Sequence, residues 1–220
     1  MQNLLIPTKI IKSKRKSISL IIDVNGDFIV RAPIKATEQA IFKFINQKSN
    51  WVIKKRKEQL QNQTKPIVIE DNNSINILGK DYILKLWEKN RVKVADDIIN
   101  IPTSSSKEKL IAYLKKLAKT TLTNIVNDFC LKFNLKYQSI NINSAKTRWG
   151  SCSANNKLHF TYKLMLCPIE VVKYIAIHEL CHTRVKNHSV KFWDLVESYF
   201  TNYKNCEKWL KQNRAIVELV

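Results

Sequence analysis

The chain has 220 residues, of which 45% are hydrophobic and 9% aromatic, and its net charge is +20. This composition supports a packed core, which excludes a globally disordered chain, and the length suits one domain or a catalytic domain with a smaller platform. The sequence has no apolar run near the roughly 18 residues of a membrane helix and no secretory signal pattern, so we expect no membrane association and a cytoplasmic location.

The first half of the chain predicts a β-rich platform over residues 1–103. Residues 9–33 alternate in hydrophobicity, and the Asn25-Gly26 pair indicates a hairpin. Thr37 is a suitable N-cap for a helix that continues to about Gln61. Beyond Pro66, short strands are expected at 67–69, 75–78, 82–87, 92–94 and 98–101.

The second half, over residues 104–220, predicts a mixture of helices and a few strands. A long helix is expected at about 107–134, where leucines and other apolar residues recur at helical spacing. Strands follow near 140–142 and at 157–164. Pro168 then begins a buried helix that ends near Thr183, and further helices start at Ser189 and at about residue 204. The fold class is therefore α+β, in two parts or as one continuous domain.

The buried helix contains the strongest functional signal, His178-Glu179-Leu180-Cys181-His182. Histidines four residues apart lie on one helical face, so two imidazole nitrogens can reach one tetrahedral zinc ion at about 2.0–2.1 Å each. Glu179, beside the first ligand, can act as a general base toward a metal-activated water. A charged residue inside a buried helix would be costly without such a role.

The third metal ligand has two candidates. His188 follows His182 by six residues, after Asn187, a residue type that tolerates a turn. Glu197 on the following helix is the alternative, because some peptidases use a carboxylate in this position. We expect His188 to be the ligand and predict one zinc ion per chain.

Several segments together resemble the YgjP-like family of predicted zinc metallopeptidases, which is related to SprT-like proteases. The resemblance rests on Thr147 to Ser153 (TRWGSCS), the His178–His182 motif, Asn187-His188-Ser189 and Phe192-Trp193, and it extends to the N-terminal hairpin. It implies a zincin-like catalytic core in which an active-site helix packs on a small sheet. It also implies zinc ligation by His178, His182 and His188, with Glu179 as the base.

A zincin-like core implies an edge strand that pairs with an extended substrate. We expect the strand at 157–164 to be this edge, with His159 or Tyr162 as weaker candidates for stabilising an oxyanion. The alternative is that both side chains pack or face solvent.

The functional prediction is a zinc metallopeptidase that acts on a protein or peptide. The charge of +20 leaves a nucleic-acid partner as an alternative, either for a protease acting on DNA-bound proteins or for a non-catalytic, metal-stabilised DNA-binding module. Of the 38 basic residues 31 are Lys, so compositional bias also explains the charge. Glu179 separates the catalytic from the non-catalytic hypotheses, because a structural zinc site needs no base.

Overall fold

The computed structural model describes residues 5–23, 26–61, 67–145 and 147–213. Its internal contacts divide the chain into two units, Met1–Lys65 and Pro66–Val220. The boundary expected at residue 103 lies inside the second unit. The secondary structure is a mixture of helices and small sheets, so the α+β class is confirmed. Among the described residues, no helix has the length and apolar character needed to cross a bilayer.

The first unit is a three-stranded sheet with two helices. Its elements are β1 (Lys9–Ser13), β2 (Ser19–Ile22), β3 (Phe28–Pro33), α1 (Glu38–Gln47) and α2 (Ser49–Gln61). Strand β3 is central, parallel to β1 and antiparallel to β2. The β2–β3 pairing confirms the expected hairpin, although Asn25 of its turn lies outside the described residues. The single helix expected after Thr37 is instead two helices that meet at Lys48.

Alternation along β3 builds the core of this unit. Phe28, Val30 and Ala32 are buried on one face, where they belong to the same cluster as Ile41 and Ile45 of α1. Thr37 confirms the predicted N-cap, since its hydroxyl accepts a hydrogen bond of 3.2 Å from the Ala40 amide.

The second unit has two further sheets and four α-helices among its described residues. Its elements are β4 (Ser74–Ile77), β5 (Lys80–Trp87), β6 (Lys93–Ala95), β7 (Ile98–Pro102), α3 (Ser106–Phe133), β8 (Ser139–Asn143), β9 (Gly150–Cys152), β10 (Lys157–Thr161), a 3-10 helix (Tyr162–Leu166), α4 (Ile169–Cys181), α5 (Val190–Tyr199) and α6 (Tyr203–Gln212). The strand orders are β4-β5-β7-β6 and β8-β10-β9. The strand expected at 67–69 is absent, and those residues are irregular.

Helix α4 lies at the centre of this unit and positions the functional side chains. Nine of its 13 residues are buried, and it contacts α3, α5, α6, β9 and the 3-10 helix. This burial on all sides explains why a segment rich in β-branched residues is helical, because packing outweighs a modest intrinsic propensity. Pro168, predicted as the first helical residue, is instead the N-terminal cap of the helix, which begins at Ile169, and His182 is its C-terminal cap.

Candidate metal centre

Three histidine side chains converge at the C-terminal end of α4. His178 and His182 lie one turn apart, and His188 reaches back from the turn before α5. The Nε2 atom of His188 is 3.1 Å from Nε2 of His178 and 3.2 Å from Nε2 of His182. Potential ligand atoms of the three residues all lie within 4.8 Å of one another.

This spacing fits a tetrahedral zinc ion. Two nitrogen ligands at about 2.0–2.1 Å from tetrahedral zinc are about 3.3–3.4 Å apart, close to the distances between these Nε2 atoms. Three histidines leave a fourth position for water or substrate, which is the ligand arrangement of catalytic rather than structural zinc sites. The donor set and its spacing therefore suit a catalytic metal.

His178 and His182 are held in the neutral form that metal binding requires. His182 Nδ1 lies 2.9 Å from the Val185 carbonyl, which accepts only, so the proton is on Nδ1 and the Nε2 lone pair is free. Burial, together with the neighbouring His182 and His188, lowers the pKa of His178 to about 3. Burial also lowers the pKa of His182.

Aromatic rings hold the imidazoles in place. Phe192 stacks on His182 with ring centroids 4.4 Å apart, and Trp193 stacks on His188 at 5.7 Å. The Tyr174 hydroxyl lies 3.4 Å from Nδ1 of His178. These groups contact the histidines on the side away from the converging Nε2 atoms or across their faces, so they restrict ring rotation without blocking ligation. The contacts of Tyr174, Phe192 and Trp193 with the imidazoles were not predicted from the sequence.

Glu179 is buried beside the histidines, with 6% of its surface exposed. Burial raises the pKa of its carboxyl to about 8, and the nearby Arg148 guanidinium acts in the opposite direction. A carboxyl whose pKa lies near neutrality is suited to proton transfer at physiological pH.

Gly150 makes room for this carboxyl. A Cβ atom at Gly150 would lie 2.7 Å from both Cγ and Oε1 of Glu179, which is closer than real Cβ contacts allow. This close contact was not predicted from the sequence, in which Gly150 stands out only as part of the segment from Thr147 to Ser153.

A cleft of about 380 Å³ opens beside His178 and Glu179. Its other lining residues come from the segment leading into β9, from α4 and from α6: Thr147, Arg148, Trp149, Gly150, Tyr174, Ile175, Glu207, Leu210 and Lys211. The cleft thus combines apolar surface with charges of both signs.

Strand β9 presents a free backbone edge among the described residues. The Thr161 amide donates to the Trp149 carbonyl at 3.0 Å, and the Ser153 amide donates to the Lys157 carbonyl at 2.9 Å. Because antiparallel pairing alternates, the backbone groups of Gly150 and Cys152 between them point away from β10. The expectation that 157–164 forms the edge is wrong, since β10 lies between β8 and β9.

The remaining candidates lie elsewhere. The Glu197 carboxylate is 3.5 Å from Lys204 Nζ and is not part of the histidine cluster. Tyr162 is buried in the hydrophobic core and lies on the 3-10 helix rather than on a strand. His159 is half-buried on β10. Neither Tyr162 nor His159 lines the cleft, so their placement does not support an oxyanion role.

Comparison with known proteins identifies a family and a similar solved structure. A family model described as "YgjP-like, metallopeptidase domain" matches residues 16–213. The crystal structure of the metallopeptidase zymogen of Methanocaldococcus jannaschii jannalysin is 26% identical over 41% of this chain and 94% of its own, with a TM-score of 0.38. A search of curated proteins found no significant match.

Proposed function

This chain belongs to the YgjP-like metallopeptidase family, and from this premise we propose that it is a zinc-dependent peptidase with a zincin-like active site in its second unit. One observation carries the proposal. The Nε2 atoms of His178 and His182 lie 3.1 and 3.2 Å from Nε2 of His188, beside the buried Glu179 carboxyl, which lines the adjoining cleft.

In this mechanism His178, His182 and His188 would hold one zinc ion per chain. Bound zinc would supply Lewis acidity, polarising the scissile carbonyl and lowering the pKa of the attacking water toward about 7. Glu179 accepts a proton from this water as general base and delivers it to the leaving amine as general acid. Arg148, which favours the ionised form of Glu179, supports the first of these steps.

The substrate we propose is an extended peptide that adds to the edge of β9. The outward backbone groups of Gly150 and Cys152 can pair with a peptide backbone, as in other cases of strand addition. Gly150 also lines the cleft with Glu179, so a peptide on this edge would lie beside the proposed base.

The proposal is tested by comparing wild type with Glu179→Gln and His182→Ala. We expect wild type to contain about one zinc per chain and to cleave unfolded protein substrates. Glu179→Gln should keep zinc but lose at least about 100-fold in kcat, because it removes the general base. His182→Ala should lose the zinc.

Glu197→Gln is the matched control, because it makes the same chemical change at an exposed carboxyl. It should keep both zinc and activity. Equal activity of Glu179→Gln and wild type would refute the role of Glu179 as general base. A wild type that binds zinc without cleaving any substrate would leave a non-catalytic, metal-stabilised module. Loss of zinc in Glu197→Gln would show that the third ligand is misassigned.

A second candidate function, nucleic-acid binding, is favoured by one feature of the first unit. Residues 1–65 contain 14 Lys and Arg against 4 Asp and Glu, a net charge of +10. Trp51, which is 44% exposed, and Lys48 line an apolar pocket there together with Leu20 and Phe44. Exposed aromatic rings beside cations are typical of surfaces on which unpaired bases stack.

Binding of single-stranded oligonucleotides over a series of salt concentrations tests this candidate. For a real interaction with phosphates, the logarithm of the binding constant falls linearly with the logarithm of the salt concentration. Trp51→Ala should weaken it further, whereas Ile53→Ala, also exposed on α2 but outside the pocket, should not. Absence of binding at low salt would indicate that the positive charge of the chain reflects its composition alone.

A further inference from the structure

The loop that carries His188 is held by two cations that contact different elements of the second unit. Residues 184 and 186–188 are exposed, and only Val185 among 184–188 packs partly against the hydrophobic core. Burial therefore contributes little to fixing this segment. Its order must come mainly from polar contacts and from Trp193 stacking on His188.

Arg184 attaches one side of the loop to the end of α3. Its Nη2 donates to the Asn134 carbonyl at 2.9 Å and to the Phe133 carbonyl at 3.3 Å, and its Nη1 donates to the Tyr199 hydroxyl at 3.0 Å. Carbonyls at a helix C-terminus lack partners within the helix, so a cation there satisfies them. One guanidinium thus joins the loop to both α3 and α5.

Lys186 attaches the other side to the β9–β10 turn. Its Nζ donates to the Asn156 side-chain oxygen at 2.6 Å and to the Ser153 carbonyl at 3.0 Å, and lies 3.8 Å from Cys152 Sγ. Cys152 belongs to the strand whose outer edge faces away from β10. The same lysine therefore connects the His188 loop to the strand that we propose as the substrate edge.

We propose that Arg184 and Lys186 are positioning residues: Arg184 fixes the third metal ligand, and Lys186 couples that ligand's loop to the substrate-binding strand. The inference rests on the proposed function, since it assumes a metal at the histidine cluster. Neither residue belongs to the histidine cluster or lines the cleft. They act by limiting how far His188 and β9 can move.

The first consequence is a weaker hold on zinc. Loss of a group that orients a metal ligand typically costs 10–100-fold in metal affinity. We expect Arg184→Met to raise the zinc dissociation constant by about 10-fold or more while keeping one zinc per chain at saturation. Arg184→Lys should restore little, because an ammonium cannot reproduce a planar fork that reaches three acceptors.

The second consequence distinguishes the role of Lys186 from that of Arg184. Lys186→Met should raise the zinc dissociation constant less than Arg184→Met, and should also raise KM for an extended peptide with a smaller effect on kcat. Lys186→Arg should recover both, because the retained charge can still reach the Ser153 carbonyl. Lys191→Met is the matched control, since Lys191 is exposed, lies close to His188 in sequence and has no polar contact among the described residues.

The experiment uses the full chain and three measurements: zinc affinity by competition with a chromophoric chelator, the absorption spectrum with cobalt in place of zinc, and hydrogen exchange of residues 183–188 in the metal-free protein. We expect Arg184→Met and Lys186→Met to change the cobalt spectrum and to speed exchange in this segment, with Lys191→Met unchanged. Wild-type zinc affinity and exchange in both variants would overturn the inference.

Two milder variants keep the test decisive if Arg184→Met or Lys186→Met fails to fold. Tyr199→Phe removes one acceptor of Arg184 and keeps the ring that stacks on Phe133, and Asn156→Ala removes one acceptor of Lys186. Each should weaken zinc binding by several-fold, and unchanged affinity in both would refute the inference. Exchange and affinity are independent of peptidase activity, so a protein that binds zinc without cleaving peptides refutes the proposed function only.

Discussion

Gly150 and Glu179 illustrate how closely individual residues are fitted at the candidate site. The Glu179 carboxyl occupies the space that a side chain at position 150 would need, with a hypothetical Cβ 2.7 Å from Cγ and Oε1. The glycine therefore sets where the carboxyl lies relative to the histidines, although it carries no reactive group itself.

Gly150→Ala should displace the Glu179 carboxylate while leaving the metal ligands in place. A displacement of about 1 Å costs on the order of 100-fold in rate when a catalytic group must be precisely oriented. We expect kcat to fall by about that factor, with one zinc per chain retained, as measured by peptidase assays and metal analysis. Ser151→Ala on the same strand is the control and should keep most of the activity; equal activity of the two variants would contradict the prediction.

The raised pKa of Glu179 predicts how the metal-free protein responds to pH. Burial raises this pKa from the usual 4.5 to about 8, so the folded state binds a proton that the unfolded state releases between these values. The resulting stability is present below pH 4.5 and is lost as pH rises through about 8. Glu179→Gln removes the ionisable group and with it this loss.

We therefore expect metal-free Glu179→Gln to become more stable than metal-free wild type as pH rises from 5 to about 9, by on the order of a few kcal/mol. Denaturant titrations at several pH values, with a chelator present, measure the difference. Glu197→Gln, at an exposed carboxyl, should show no such trend. If the difference in free energy of unfolding between the two metal-free proteins stayed constant across this pH range, burial would not raise the pKa of Glu179.

At the residue level, the sequence could predict the members of the histidine cluster because helical geometry is local. His178 and His182 must share a face of any helix that contains them, and the short connection limits where His188 can lie. The groups around them were not predictable in this way. Tyr174 shares their helix, but Phe192, Trp193 and Gly150 reach the site from other elements, and their positions depend on how those elements pack.

At the level of elements, helices were predicted more reliably than sheet order. The buried pattern after Pro168 correctly predicted α4, and the apolar stripe of residues 107–134 correctly predicted α3. Strand order depends on pairing between distant segments, so the sequence could not show that β10 lies between β8 and β9. Strand β9 has only three residues, one of them glycine, and gives almost no strand signal of its own.

The free edge of β9 leads to a prediction about this strand. The Cys152 amide points away from β10, so proline at this position removes the outward donor without removing a bond to β10. Cys152→Pro should raise KM for extended peptides by about 10-fold, whereas Cys152→Ala, which keeps the amide, should change it little. Zinc content should be the same in both variants. Equal KM values would indicate that substrates do not pair with this edge.

At the scale of the whole molecule, the described residues form two separate hydrophobic cores. The first core includes Val30, Ile41 and Val52, and the second includes residues of α3, α4 and the strands between 74 and 102. The boundary predicted at residue 103 follows from the strand patterns of the sequence, which end there. It could not show that buried strand residues such as Leu84 and Ile99 share a core with Leu110 of α3, since shared burial is a tertiary property.

This division predicts that a chain beginning at Pro66 folds and binds zinc without the first unit. All the buried residues of the second core lie between Ile75 and Cys206. The three histidines and Glu179 lie within the same range, and the residues that line the cleft all lie between Thr147 and Lys211. We expect this shortened chain to unfold cooperatively, to contain one zinc and to keep the peptidase activity of the full chain. It should have lost any salt-dependent oligonucleotide binding, because half of the net charge of +20 lies in residues 1–65. Thermal unfolding, metal analysis and both assays provide the comparison, with His182→Ala in the shortened chain as the zinc-free control.

A shortened chain that is aggregated or lacks a cooperative transition would show that the second core depends on the first unit. A folded chain that binds oligonucleotides as well as the full chain does would instead place that binding in the second unit.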